Sequence, residues 1–305
     1  MNPTPINDTG NPKERSPGAH AAFNSPSVTE STPLLWLTVL SLDAPAVAVL
    51  WQLLFAKSFQ VRIGAGVTIL LALVVWLIYV ADRLLDAWKS PPDDAEATRH
   101  LFYRRHLWGF LFPLGAGSAL AAWLALTQLD VGTFGDGILI FLGVGIYLLI
   151  VHLVSPRRRW FVPKELLVGI LFALGTCFPI WQGMAERTAV LFPACALFAG
   201  LCWMNCAVIE HAEWNRLRGR RFGLPHPWTV WMGKHFLLLS VVAAAIAAVY
   251  MFSGLGRPHW QIPAAELLSA LTFAVIRNKE HSLSIDQFRV LVDVALFTPI
   301  FFLIQ

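Results

Sequence analysis

Long apolar segments recur along the 305-residue chain, and their length limits the folds that the sequence can adopt. Each is close to the length that a tilted helix needs to cross roughly 30 Å of hydrocarbon. The composition agrees: 56% of the residues are hydrophobic, 14% are charged and the mean hydropathy is +0.60, which is too apolar for an ordinary soluble domain. The predicted spans cover residues 34–56, 64–81, 107–127, 137–154, 165–183, 189–209, 235–252, 262–276 and 287–304. We therefore predict an all-α, multi-pass membrane protein with nine transmembrane helices.

The N-terminal region has a different composition from the rest of the chain. Residues 1–33 are rich in Pro, Ser, Thr, Gly and Asn and contain no apolar run, so they cannot bury enough surface to fold. They also lack the apolar core and small-residue cleavage site of a secretory signal. We expect a disordered cytoplasmic tail over residues 1–33 and a transmembrane domain over residues 34–305.

Lys and Arg are distributed unevenly between the two sides of the predicted bundle. With the tail in the cytoplasm, the cytoplasmic loops and span ends hold seventeen Lys and Arg residues and the opposite ones hold four. This positive-inside bias predicts a cytoplasmic N-terminus and an external C-terminus, as in a bacterial inner membrane. The basic clusters flank the spans and serve as orientation signals, so the formal net charge of +4 gives no reason to expect a nucleic-acid partner.

Two clusters of acidic residues lie at predicted cytoplasmic span ends. Asp82 and Asp86 follow span 2 at a spacing of i, i+4, which places both on one helical face. Asn205, Glu210 and Glu213 hold the corresponding place at the end of span 6. Intramembrane acids indicate a divalent-cation site or an ion pathway, and a solvated helix end is the alternative.

The acidic region after span 2 resembles that of the UbiA superfamily of membrane-embedded prenyltransferases, which have nine transmembrane helices and acidic motifs after helices 2 and 6. IYVADRLLD is similar to the first motif, N-D-x-x-D-x-x-x-D, at Asp82, Arg83 and Asp86. Ile78 and Tyr79 stand where that motif has Asn and Asp.

The region after span 6 resembles the second motif of the same superfamily. NCAVIEHAE is similar to it at Asn205 and, with Glu in place of Asp, at Glu213, whereas Cys206 and Ile209 stand where two acids are expected. Lys164 in VPKELLVG matches a basic residue that often follows Pro at the start of helix 5 in that superfamily.

The resemblance implies a function and a set of ligands. Such enzymes bind a polyprenyl diphosphate through Mg²⁺ held by the acidic motifs, ionise its carbon–oxygen bond and let a lipophilic acceptor attack the allyl cation within the lipid bilayer. Hard Mg²⁺ prefers carboxylate oxygens, waters and phosphate oxygens. The implied ligands are Asp82, Asp86 and Glu213, followed by Glu210 and Asn205.

The resemblance also implies positive groups that neutralise the diphosphate as it leaves. The catalytic candidates are Lys164, Arg99 and Arg83, and further substrate-binding candidates are Tyr79, Arg104, Arg105 and Arg158. For the basic residues, snorkelling at the interface or setting the topology is the alternative role. For Tyr79, contact with lipid at the interface is the alternative.

A second function stays open from the sequence. The acids missing at Tyr79 and Ile209 also fit a UbiA-like protein that binds or transports a lipid or an ion without catalysis. Hydrolase, redox and nucleotide-binding motifs are absent. Charged residues inside other spans, Asp43, Glu266 and Asp293 among them, require partners, and Arg289 is the expected partner of Asp293.

Overall fold

The computed structural model describes residues 40–89, 107–149, 162–184, 190–216 and 225–304, and for residues 86–89 and 107–108 it describes the backbone alone. The described chain is all α-helical apart from two short 3₁₀ turns. Its helices are α1 (Asp43–Ser58), α2 (Ala65–Lys89), α3 (Leu107–Gln128), α4 (Val131–Leu149), α5 (Lys164–Gly183), α6 (Leu191–Arg216), α7 (Pro227–Lys234), α8 (Phe236–Phe252), α9 (Gln261–Asn278), α10 (Ile285–Val294) and α11 (Ile300–Leu303). The predicted tail lies outside the described residues.

Five of these helices, α2 to α6, are long and apolar enough to cross a membrane. A sixth span results if α7 and α8, which meet at a bend of 77°, are counted together. The chain is therefore an all-α, multi-pass membrane protein, as predicted. The count of nine spans is not established by the described helices.

The last predicted span is not one continuous helix. The segment 287–304 forms α10, a turn over residues 295–299 and the short α11. Pro299 explains the break, because proline has no N–H to donate to the carbonyl four residues earlier and restricts the residue before it. α10 begins at a capping box in which Ser284 and Gln287 satisfy each other's backbone N–H groups.

The centre of the bundle is built around α6. Its Phe198 stacks on Trp51 of α1, with ring centroids 4.4 Å apart, and the Trp51 indole N–H donates to the Leu296 carbonyl at 2.9 Å. α5 and α6 also approach closely, since a Cβ on Gly169 would lie 2.8 Å from the backbone nitrogen of Trp203. Small residues at such crossings let helices pack in lipid, where packing rather than water exclusion stabilises the bundle.

The helices farther from α6 are mostly exposed to the surroundings. Among the described residues of α4, only Val144 is buried, and Leu139 and Phe141 are more than 60% exposed. At its start, Asp130 accepts the backbone N–H groups of Gly132 and Thr133, each at 3.0 Å. The hydrogen bond from the Thr133 hydroxyl lowers the pKa of Asp130 below its ordinary value. The large apolar surface that α4 exposes is what a helix in contact with lipid requires.

The short helix α7 lies across the half of α6 that the sequence predicts to be cytoplasmic. Gly233 of α7 faces His211 of α6 so closely that a Cβ would overlap the imidazole ring. Thr229 donates to Glu165 of α5 at 2.9 Å, while Trp228 and Trp231 are about half exposed. α7 is thus fixed to α5 and α6 on one face and presents two indoles on the other.

Candidate functional site

A cavity of about 160 Å³ opens among α1, α2, α5, α6 and α10. Its lining combines charged and apolar side chains: Asp43, Ala44, Val47, Tyr79, Arg83, Val168, Phe172, Cys202, Asn205, Cys206, Ile209, Glu210, Glu213, Arg289, Asp293 and Leu296. Along α6, a rise of 1.5 Å per residue separates Glu213 from Cys202 by about 16 Å. The cavity therefore passes from acids at the helix end to apolar side chains deeper in the bundle.

The acids of α6 each meet a basic side chain. Glu213 forms an ion pair with Arg289 of α10, and both residues are buried, with 3% and 7% of their surface exposed. Glu210 pairs with Lys164 at the start of α5, with 3.6 Å between Oε2 and Nζ. Lys164 follows Pro163, which occupies the N-cap position of α5. The predicted residues Glu210, Glu213 and Lys164 thus lie at one end of the cavity.

A second polar group forms where α1, α6 and α10 meet. The Asn205 amide donates to Asp293 Oδ1 and to the Val292 carbonyl, each at 3.1 Å. The Asp43 carboxyl accepts the N–H of Ala44 at 3.0 Å, and it lies near enough to the Asp293 carboxyl to interact with it electrostatically. Buried polar groups are stable only when they are paired in this way.

α2 contributes the opposite wall of the cavity. Tyr79 and Arg83 line it, and within the described part of the chain the Arg83 Nε is buried without a hydrogen-bond partner. Asp82 lies close enough to interact electrostatically with Tyr147 of α4 and Cys206 of α6. The side chain of Asp86 lies outside the described part, so the structure does not test its place in the site.

The remaining predicted site residues cannot be compared with this cavity. Arg99, Arg104, Arg105 and Arg158 lie outside the described residues. Their roles stay predictions from the sequence.

Three charged residues of the cavity were not predicted as site residues: Asp43, Arg289 and Asp293. The sequence did contain a signal for them, because each is a charged residue inside an apolar segment. Their partners could not be predicted, since Asp43 and Asp293 are far apart in the chain. The expected partner of Asp293 was Arg289, whereas the structure gives Asp293 a hydrogen bond from Asn205 and gives Arg289 an ion pair with Glu213.

The described residues do not fit a Mg²⁺ site as they are arranged. Within the described ranges, no group of three His, Cys, Asp or Glu side chains converges on a point where a metal ion could bind. The carboxylates of Glu210 and Glu213 already pair with Lys164 and Arg289. Mg²⁺ needs near-octahedral oxygen coordination, and these carboxylates are directed to cations of the protein instead.

This architecture is similar to that of a solved structure. The apo structure of a UbiA homolog from Aeropyrum pernix K1 superposes with a TM-score of 0.56, at 14% sequence identity, over 87% of this chain and 99% of the other. The sequence matches no protein-family model and no curated protein.

The chain therefore has a UbiA-like fold. The structural match confirms, at the level of the fold, the resemblance that the acidic motifs indicate.

Proposed function

We propose that this chain is a UbiA-like prenyltransferase with a nine-helix transmembrane domain, which transfers a prenyl group from a polyprenyl diphosphate to a lipophilic acceptor within the membrane. The observation that carries the proposal is the cavity, which combines charged and apolar walls inside a UbiA-like fold. A ligand with a charged head and an apolar chain matches such a lining.

The cations around the cavity suit the head of such a donor. Arg83 and Arg289 line the cavity and Lys164 lies beside it, paired with Glu210. Charge-assisted hydrogen bonds from arginine to phosphate oxygens are short and strong. They stabilise the diphosphate as its bond to the prenyl carbon breaks and negative charge develops on it.

The remaining lining suits the prenyl chain and the cation that forms on it. Tyr79 and Phe172 present rings to the cavity, and a ring face stabilises a nearby cation. The acceptor then forms a bond to the prenyl carbon and loses a proton. Mg²⁺ is the cofactor that the resemblance implies, and the proposed roles of the chain's own residues do not depend on it.

The proposal is tested by product formation. Purified full-length protein in lipid nanodiscs receives radiolabelled farnesyl diphosphate, Mg²⁺ and a membrane lipid extract, and prenylated lipid is separated from the donor. Asp82→Asn is expected to lower the rate by about tenfold or more, because the negative charge of Asp82, which lies near Cys206 of the cavity wall, stabilises the developing allyl cation.

The matched control is Asp136→Asn. Asp136 lies on α4 and accepts a hydrogen bond from Gln182 at 2.7 Å, away from the cavity lining. The rate of the Asp136→Asn variant is expected to stay close to that of the wild type. Equal rates for the wild type and Asp82→Asn would contradict a role for Asp82.

A second function is supported by the ion pairs of α6. Because Glu210 and Glu213 already pair with cations, the same cavity suits a protein that binds or transports a lipid or an ion without chemistry. Tight binding of the prenyl diphosphate with no release of diphosphate would favour this alternative.

A further inference from the structure

The polar groups of the cavity that already have partners indicate whether the cavity can bind a cation or an anion. Glu213 is paired with Arg289 and Glu210 with Lys164. Asp293 accepts a hydrogen bond from Asn205, and Asp43 accepts one from the backbone N–H of Ala44. The acidic groups that line the cavity are therefore already engaged by donors of the protein itself.

A donor remains on the opposite wall. The Nε of Arg83 is buried and, among the residues that the structure describes, has no hydrogen-bond partner. A buried donor without an acceptor costs free energy, and more when it is charged. The ligand that removes this cost is an acceptor, and an anion does so best.

Arg83 is well placed to meet such an anion. It lies on α2 and lines the same cavity as Arg289 of α10, so the cavity offers an anion guanidinium groups from two different helices. Guanidinium groups match phosphate geometry because their N–H groups form a planar fork. A phosphate group needs no metal ion to bind between two arginines.

We infer that this cavity binds the phosphate head of a lipid directly through Arg83 and Arg289, without a divalent cation. The inference rests on the proposed function, because it takes the diphosphate of the prenyl donor as the ligand. It departs from the metal dependence that the resemblance implies, and it assigns to arginine the neutralisation of charge otherwise given to Mg²⁺. The apolar lining, with Val47, Phe172 and Leu296, accounts for the lipid chain.

The test is an equilibrium binding measurement on the purified full chain in nanodiscs, with fluorescent farnesyl diphosphate as the probe. The dissociation constant is measured once in EDTA and once in Mg²⁺. We expect the two values to agree within about threefold, since a direct arginine contact does not require the metal. Arg83→Gln should raise the constant about tenfold or more, because a hydrogen bond to a charged group is lost.

Two variants serve as controls for this measurement. Arg257→Gln removes the same charge from an exposed position outside the cavity lining, and it should leave binding unchanged. Arg83→Lys keeps the charge and loses the planar fork, so its constant should fall between those of the wild type and Arg83→Gln. Thermal unfolding of each variant verifies that the protein is folded.

The outcomes separate this inference from the proposed function. Binding that disappears in EDTA and returns with Mg²⁺ overturns the inference and leaves prenyl transfer standing. An unchanged constant in Arg83→Gln also overturns the inference. No binding of the probe under either condition overturns both.

Competition identifies the source of the phosphate. Inorganic pyrophosphate should displace the probe only weakly, because it lacks the apolar chain, while unlabelled farnesyl diphosphate should displace it fully. A further outcome is that dioleoyl phosphatidic acid displaces the probe in EDTA as well as farnesyl diphosphate does, and loses this ability in Arg83→Gln. That result would support a metal-free phosphate site and contradict the prenyl donor as its particular ligand.

Discussion

Arg289 illustrates how much a single charge in this bundle depends on its partner. Its guanidinium is buried, with 7% of the residue exposed, and it forms an ion pair with the equally buried Glu213. Removing one member of such a pair leaves the other charged and without compensation, which is far more costly than removing both.

Arg289→Met should therefore lower the free energy of unfolding by about 3 kcal/mol, whereas Glu213→Leu combined with Arg289→Met should lower it much less. Denaturant titration in detergent micelles gives the two values. The exposed Arg257→Met is the control and should change stability by less than about 0.5 kcal/mol. A loss in the double variant as large as in Arg289→Met would show that the two residues do not act as a pair.

At the scale of the helices, the crossing of α5 and α6 positions the cavity. Gly169 faces the backbone of α6 and lies within one turn of Phe172 and Val168, which line the cavity. Added volume at this crossing has to separate the helices, because a backbone cannot move aside as a side chain can.

Gly169→Ala would place a Cβ 2.8 Å from the backbone nitrogen of Trp203 and 2.9 Å from the carbonyl oxygen of Ala199. We expect a loss of about 1–3 kcal/mol in the free energy of unfolding, as for other overpacked sites. Gly175→Ala on the same helix enters open space and should leave stability equal or slightly higher, because alanine favours the helix. Equal stabilities for the two variants, measured in the same titration, would contradict the close crossing.

The helices also show what the sequence could and could not predict. Length and hydropathy identify α2 to α6, because a bilayer imposes the same length on every span. The same signal joined α10 and α11 into one segment, although Pro299 marks the break. Hydropathy also could not show that Asp43, Asn205 and Asp293 meet, since that depends on how α1, α6 and α10 pack.

At the scale of the whole molecule, the number of spans determines on which sides of the membrane the termini lie. An odd number places them on opposite sides. The distribution of Lys and Arg predicts a cytoplasmic N-terminus, and the nine spans predicted from the sequence would then put the C-terminus outside.

Fusions to the C-terminus of the full chain in a bacterial host test this topology. Alkaline phosphatase attached after Gln305 should be active, because it folds only outside the cytoplasm, and green fluorescent protein at the same position should be dark. The same reporters at the N-terminus should give the reverse result. A fluorescent C-terminal fusion would mean an even number of spans.

The 77° bend between α7 and α8 has a consequence for the depth of the cavity. Exposed indoles such as those of Trp228 and Trp231 settle at the level of lipid headgroups, and α7 is held against His211, which lies between Glu210 and Glu213. Glu210 and Glu213 are thereby held at a fixed depth relative to one leaflet and not to the bilayer midplane. In a thicker membrane, the extra hydrocarbon would be accommodated at the far ends of the helices, and the acidic end of the cavity would stay at the same depth below the lipid headgroups.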